Sequence, residues 1–200
     1  MAAKRIVIGL VGQVCAGKST VAAAFEACGA QTFDADACVH RLYCRADTIA
    51  AVERMFGQAA LDARGQVDRA ALGKIVFGDP GALQRLVEQI VYPRTETEIQ
   101  KAIAVFRASN APALLLDAPT LFEAQRDCWC DRIVYVQAPL EFRREWARVR
   151  GWPEGEIERR EARMSSDVHK RRRADCILEN NGTRDDLKMK AQDLLERWTQ

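Results

Sequence analysis

Nine residues, Gly12-Gln13-Val14-Cys15-Ala16-Gly17-Lys18-Ser19-Thr20, constrain this chain more than any other stretch. They fit the pattern G-x-x-x-x-G-K-[ST], which carries meaning only between a strand and a helix. That context is present. Lys4 to Val11 is almost unbroken apolar sequence rich in β-branched residues and reads as a buried parallel strand. After the loop, Val21, Ala22, Phe25 and Cys28 recur at helical spacing. The residue types follow from the chemistry. Gly12 and Gly17 let the backbone curl until successive N–H groups point inward as an anion nest. The following helix adds the positive end of its dipole, Lys18 reaches β- and γ-phosphates, and Ser19 can ligate Mg²⁺. The alternative is a Gly-rich turn without a ligand, and the flanking strand and helix argue against it.

The rest of the composition narrows the class. Two hundred residues suit one domain with room for a helical insertion. Thirty basic against 28 acidic side chains leave no overall bias toward nucleic acid or a membrane surface. No apolar run approaches the ~20 residues of a membrane span, and Met-Ala-Ala-Lys-Arg leads into the first strand without a signal-peptide core. Seven cysteines, an odd number without C-x-x-C spacing, predict reduced thiols and a cytoplasmic protein. Cys15 within the loop reads either as a reactive thiol at a helix start or as a small space-filling residue.

Gln31–Asp34 is a short second strand delivering Asp34-Ala-Asp36, and a helix follows from Ala37 to Tyr43. Ligands in open parallel sheets lie beyond the carboxyl ends of the strands. Asp36 is therefore the candidate to orient or deprotonate an attacking hydroxyl, with Asp34 in a capping or supporting role. His40, one helical turn on, is a candidate ligand contact or a structural histidine. Residues 45–110 show helical periods only and are expected to form a helical subdomain. Gly78-Asp-Pro80 punctuates it, and Tyr92-Pro93 must kink or interrupt a helix. Asp62-Ala-Arg-Gly65 fits the loose D-x-x-G of nucleotide switches, but no N-K-x-D follows.

Ala113–Asp117 is the third strand, and its terminal Asp117 can hold a water of a Mg²⁺ shell or cap a helix. Arg132–Val136 is the fourth strand, and Asp175–Glu179 a fifth that ends at Asn180-Asn181-Gly182 beside the expected nucleotide edge. Between them, residues 140–173 hold Arg143, Arg144, Arg148, Arg150, Arg163 and Lys170 interleaved with glutamates. Three readings apply: a lid that neutralises a triphosphate, a solvated helical surface, or a nucleic-acid patch, the last disfavoured by the acids and scarce aromatics. Thr183 and Asp186 cap a final helix.

In this order, the signals resemble the dephospho-coenzyme A kinases from end to end. The resemblance rests on Gly12–Thr20, Asp34-Ala-Asp36 with His40, Asp68-Arg-Ala-Ala-Leu72, Tyr92-Pro93, Asp117-Ala-Pro119-Thr-Leu121-Phe122-Glu123, Ala138-Pro139, Arg150, Lys170, Arg173-Ala-Asp175 and Asn181. It implies an α/β P-loop kinase fold: a five-stranded parallel sheet in a three-layer sandwich, a helical acceptor-binding subdomain at 45–110 and an arginine lid at 140–173. It implies transfer of the ATP γ-phosphoryl to the ribose 3′-hydroxyl of dephospho-CoA, with Mg²⁺. Asp36, Lys18 and Arg150 would be catalytic, with Lys170 and Asn181 joining the loop on the nucleotide. Asp34, His40, Tyr92, Pro119, Leu121, Phe122 and Glu123 would meet the acceptor, and Ser19 and Asp117 the metal. Expected partners are the small-molecule substrate alone, without nucleic acid or membrane, for a monomer or weak homo-oligomer. Departures from the family pattern are Gln13 and Cys15 for loop glycines, Tyr92 for His, Thr120 for Leu, Trp146 for Arg and Arg163 for Gln. Two alternatives remain: a kinase for another small alcohol, nucleoside or nucleotide, and a homologue that binds CoA species with weakened transfer.

Overall fold

A computed structural model describes residues 4–162, 164 and 166–200; Arg163 lies outside them. The chain divides into two compact units, residues 1–34 with 103–200, and residues 35–102.

The first unit is built on five parallel strands, β1 (Ile6–Gly12), β2 (Gln31–Asp34), β3 (Ala113–Asp117), β4 (Arg132–Gln137) and β5 (Cys176–Glu179), in the order β2-β3-β1-β4-β5. β1 is buried along its whole length, as the continuous apolar run predicts for a strand covered on both faces. It pairs with β3 on one side and β4 on the other. The order reverses at β1, so the crevice beyond its carboxyl end is the switch point where open α/β sheets bind ligands. Helix α1 (Lys18–Glu26) leaves that crevice. Phe25 from α1, Leu115 and Val134 from the sheet, and Leu194 from the C-terminal helix (Arg184–Thr199) meet in one core. Burying each such side chain stabilises the fold by about 1.5–3 kcal/mol. The C-terminal helix starts from the expected capping box, in which Thr183 and Asp186 satisfy each other's backbone amides.

The second unit is helical: α2 (Ala35–Leu42), α3 (Ala46–Phe56), α4 (Arg69–Gly78), α5 (Pro80–Leu86) and most of α6 (Tyr92–Arg107). Its core gathers Val52, Ala60, Leu72, Val76 and Ile90. Asp68 caps α4 through the amides of Ala70 and Ala71, and Asp79 caps α5 with Pro80 in the first helical position. Asp62 is a turn residue: its Oδ1 accepts from Arg64 N and Gln66 N and closes a single bridge between Leu61 and Val67. That accounts for the D-x-x-G match without a nucleotide.

Tyr92-Pro93 interrupts the helical hydrogen bonding as a π turn over Val87–Val91. The Tyr92 amide reaches back to the Val87 carbonyl. Pro93 supplies no donor, and nearby carbonyls are taken by side chains instead, that of Ile90 by Arg94 Nη1 and that of Val91 by Thr95 Oγ1. The helix therefore continues to Arg107.

In the first unit the chain returns to the sheet's carboxyl edge in three further helices, α7 (Leu140–Val149), α8 (Glu156–Glu161) and α9 (Asp167–Arg173), before β5; the C-terminal helix is α10. None of the helices of described residues is long and apolar enough to cross a membrane.

Candidate active site

Both loop glycines are forced by close approach. A Cβ on Gly12 would fall 2.2 Å from the Val136 carbonyl oxygen, which belongs to the fixed backbone of β4. Gly17 is in the left-handed region, φ +79°, and its Cβ would fall 2.2 Å from Asn180 Nδ2. The loop between them is tied at several points. Gln13 N donates to Val136 O at 3.1 Å, and Ala16 N to Gln13 O at 3.2 Å. Asn180 Nδ2 donates to Ala16 O at 2.9 Å and Arg143 Nη1 to Val14 O at 3.1 Å. In a trans peptide the carbonyl and the next N–H point in opposite directions. Holding the Val14 and Ala16 carbonyls from outside therefore fixes the direction of the Cys15 and Gly17 amides. The first turn of α1 carries no acidic side chain, so the positive end of its dipole is left for a ligand. Lys18 is half-buried and Ser19 exposed.

The two replaced glycines leave this arrangement intact. Gln13 turns its side chain to the end of β4, where Oε1 accepts from Ala138 N at 3.2 Å. Cys15 takes φ +58° and buries its side chain with Val14, Ala147 and Ile157, the space-filling reading of the two. All seven cysteines are free thiols.

Register brings the strand-end acids together: Asp34 on β2 is the Cα partner of Asp117 on β3, and Asp117 in turn partners Leu10 on β1. Among the described residues no cluster of three or more His, Cys, Asp or Glu could hold a metal. Ser19 and Asp117 are residues that could offer Mg²⁺ the one or two protein oxygens it takes, its shell completed by phosphates and water. In the second unit, Asp36 occupies the first turn of α2. His40 lies four residues on, and both are exposed on one face of that helix. Tyr92 begins α6 and is half-buried.

The segment after β3 serves the interior more than a ligand. Leu121 is fully buried and packs over Gly9 of β1. An apolar residue of that size fills the gap that the missing Cβ of Gly9 leaves. Phe122 is buried as well, edge-on to His169 and under Arg173. Pro119 is half-buried. Glu123 lies 3.9 Å from Lys170 Nζ, an ammonium with only 1% exposure. Lys170, Gly12, Val14, Glu161 and Asp167 line a cavity of about 180 Å³ beside the loop. Burial pushes the Tyr135 phenol well above its ordinary range, and the neighbouring Asp167 adds to the shift.

Arg150 ends α7, exposed, with Nη1 3.6 Å from Cys15 Sγ. Arg160 stacks on Trp152 at 4.0 Å. A second cavity, about 290 Å³, opens at the ends of β4 and β5 between Gln13, Gln137, Pro139 and Glu179. Asn181 is exposed and donates to Oε2 of Glu179, one of the residues lining that cavity. The buried amide that grips the loop belongs to its neighbour Asn180, which sequence reasoning passed over. Leu178 and Asn180 are both buried while Glu179 is exposed, so the two-residue strand period carried the signal.

The dephospho-CoA kinase family model matches residues 6–186. A dephospho-CoA kinase of Symbiobacterium thermophilum is 40% identical over 182 residues, 90% of this chain and 75% of the relative. One of Corynebacterium diphtheriae is 36% identical over 194 residues, 96% of each chain. Among solved structures, the Thermus thermophilus protein TT1252 is 32% identical with a TM-score of 0.82, covering 98% of this chain and 99% of its own. Campylobacter jejuni dephospho-CoA kinase shares the fold at 20% identity, with a TM-score of 0.70 and 98% of each chain covered.

Proposed function

The chain belongs to the dephospho-CoA kinase family, and from that premise we propose that it transfers the γ-phosphoryl of ATP to the ribose 3′-hydroxyl of dephospho-CoA, giving coenzyme A and ADP. The observation that carries the nucleotide site is the loop itself. Its two glycines are locked against β4 and Asn180, its carbonyls are held from outside, and an uncompensated helix N-terminus follows. Loop amides, those of Cys15 and Gly17 among them, face the phosphates, and the Lys18 ammonium meets the β- and γ-oxygens. The base takes the cavity beside Gln137 and Glu179, with Asn181 reaching it through its hydrogen bond to Glu179. Ser19 and Asp117 would hold Mg²⁺, which when bound spreads the charge developing on the β- and γ-oxygens.

Asp36 orients the attacking hydroxyl and accepts its proton. The support is its place two residues past the end of β2, whose last residue pairs in register with Asp117. Asp34, His40, Tyr92, Pro119, Phe122 and Glu123 are assigned to the acceptor side, Phe122 through its packing of the segment. Residues 45–110 act as the acceptor-binding subdomain and 140–173 as the lid. Arg150, already against the loop at Cys15, neutralises the transferring group, helped by Lys170 from the cavity beside the loop. The reaction is placed in the cytoplasm, in a monomer or weak homo-oligomer.

The test is ADP release by the purified protein with ATP, Mg²⁺ and dephospho-CoA, alongside a panel of nucleosides, nucleotides and small alcohols. Preference for dephospho-CoA is expected. Faster release with another acceptor would reassign the substrate, and ATP binding without release for any acceptor would make this chain a binding homologue.

A further inference from the structure

Arg143 lies on the buried side of α7 with 6% exposure, where water cannot satisfy its guanidinium. One nitrogen, Nη1, serves two acceptors on different segments: the Val14 carbonyl of the loop at 3.1 Å and Glu161 Oε1, at the end of α8, at 2.5 Å. Val14 and Glu161 also share the walls of the cavity that holds Lys170. A buried carbonyl that loses its donor turns toward another. Because the peptide is rigid, that turn would rotate the Cys15 amide out of the nest.

We infer that Arg143 is a positioning residue: paired with Glu161, it couples helix α8 to the phosphate loop and keeps the Cys15 amide aimed at the nucleotide. The coupling runs through a charge-assisted hydrogen bond from a buried guanidinium to a carboxylate that is one-third exposed, a bond stronger than a neutral one. A lysine at this position ends in an ammonium one bond short of where Nη1 stands, on a flexible stem, and does not reproduce the bridge. This inference rests on reading the loop as a triphosphate site.

Transfer kinetics, with ATP and dephospho-CoA varied separately, and calorimetric Mg-ATP titrations are compared for wild type, R143M, R143K, E161Q and R143M/E161Q, with melting temperatures alongside. R143M is expected to weaken ATP binding about tenfold and E161Q roughly threefold. The double variant should be no weaker than R143M, R143K should not restore affinity, and KM for dephospho-CoA should stay unchanged. A lowered melting temperature with ATP affinity unmoved would assign Arg143 to stability alone and overturn the inference, as would independent effects that multiply. If R143M fails to fold, E161Q decides, since it keeps both size and guanidinium; unaltered ATP affinity in E161Q rejects the coupling. Wild-type protein that binds ATP but transfers nothing would count against the proposed function only, because the titrations still compare the variants.

Discussion

Gly17→Ala and Asn180→Ala, made singly and together, probe the nest through a failure of additivity. An alanine at φ +79° costs about 1–2 kcal/mol in left-handed backbone. Its methyl would also fall 2.2 Å from Asn180 Nδ2 and push that amide off the Ala16 carbonyl, now 2.9 Å away. A buried acceptor left unpaired costs a further ~1–3 kcal/mol. G17A alone should thus destabilise by about 2–5 kcal/mol, and N180A alone by about 1–3 kcal/mol. In the double variant nothing remains for the methyl to strike. Strain and one orphaned carbonyl are left, about 2–5 kcal/mol in all, so the singles overshoot the double by about 1–3 kcal/mol. Urea unfolding at constant m-value measures all four corners. Additivity within about 0.5 kcal/mol would refute the claim that Asn180 and Gly17 meet as described.

Three further outcomes are expected. Lys18→Ala should abolish transfer while leaving the fold in place by circular dichroism; turnover near wild type would remove Lys18 from the reaction. Asp36→Asn should lower kcat far more than it weakens ATP binding, and an intact kcat in that variant would pass the role to Asp34 or to no base. Burial pushes the Cys130 thiol from 9.0 up to about 12, with Asp127 and Asp131 adding to it. The unfolded chain then releases this proton first, so stability is full below pH 9 and falls as pH rises from 9 to 12. Cys130→Ala should make that fall shallower in unfolding midpoints across the window, and an unchanged slope would show that the thiol contributes nothing.

Much of the frame was legible because apolar runs and their end signals are local. Gln31–Asp34 and Ala113–Asp117 were bounded correctly by their flanking turn residues and acids. β1 begins at Ile6 rather than Lys4 because the Lys4 amide donates to the Thr199 carbonyl at the end of α10 and not to a neighbouring strand. α1 ends at Glu26 rather than Cys28, since Gly29 at φ +90° closes the turn early. What stayed hidden depends on distant partners. Val14 meets Arg143 across 129 positions and Ala16 meets Asn180 across 164, and no local period encodes such pairs. Leu121 reads as part of a motif but sits in the core, because only the fold shows that Gly9 has left room for it.

The π turn before Pro93 has a consequence for any change in length there. It accommodates one residue more than an α-helical path would, and a single residue corresponds to about 100° of rotation about a helix axis. Lengthening the Val87–Val91 segment by one further residue, with no second π turn to absorb it, would roll the start of α6 by that angle. The buried side, which carries Thr95 and Ile99, would swing toward water, and the half-buried flank that carries Arg94 and Glu98 would swing inward. The spare residue acts as a phase adjuster, setting which stripe of the helix is dry.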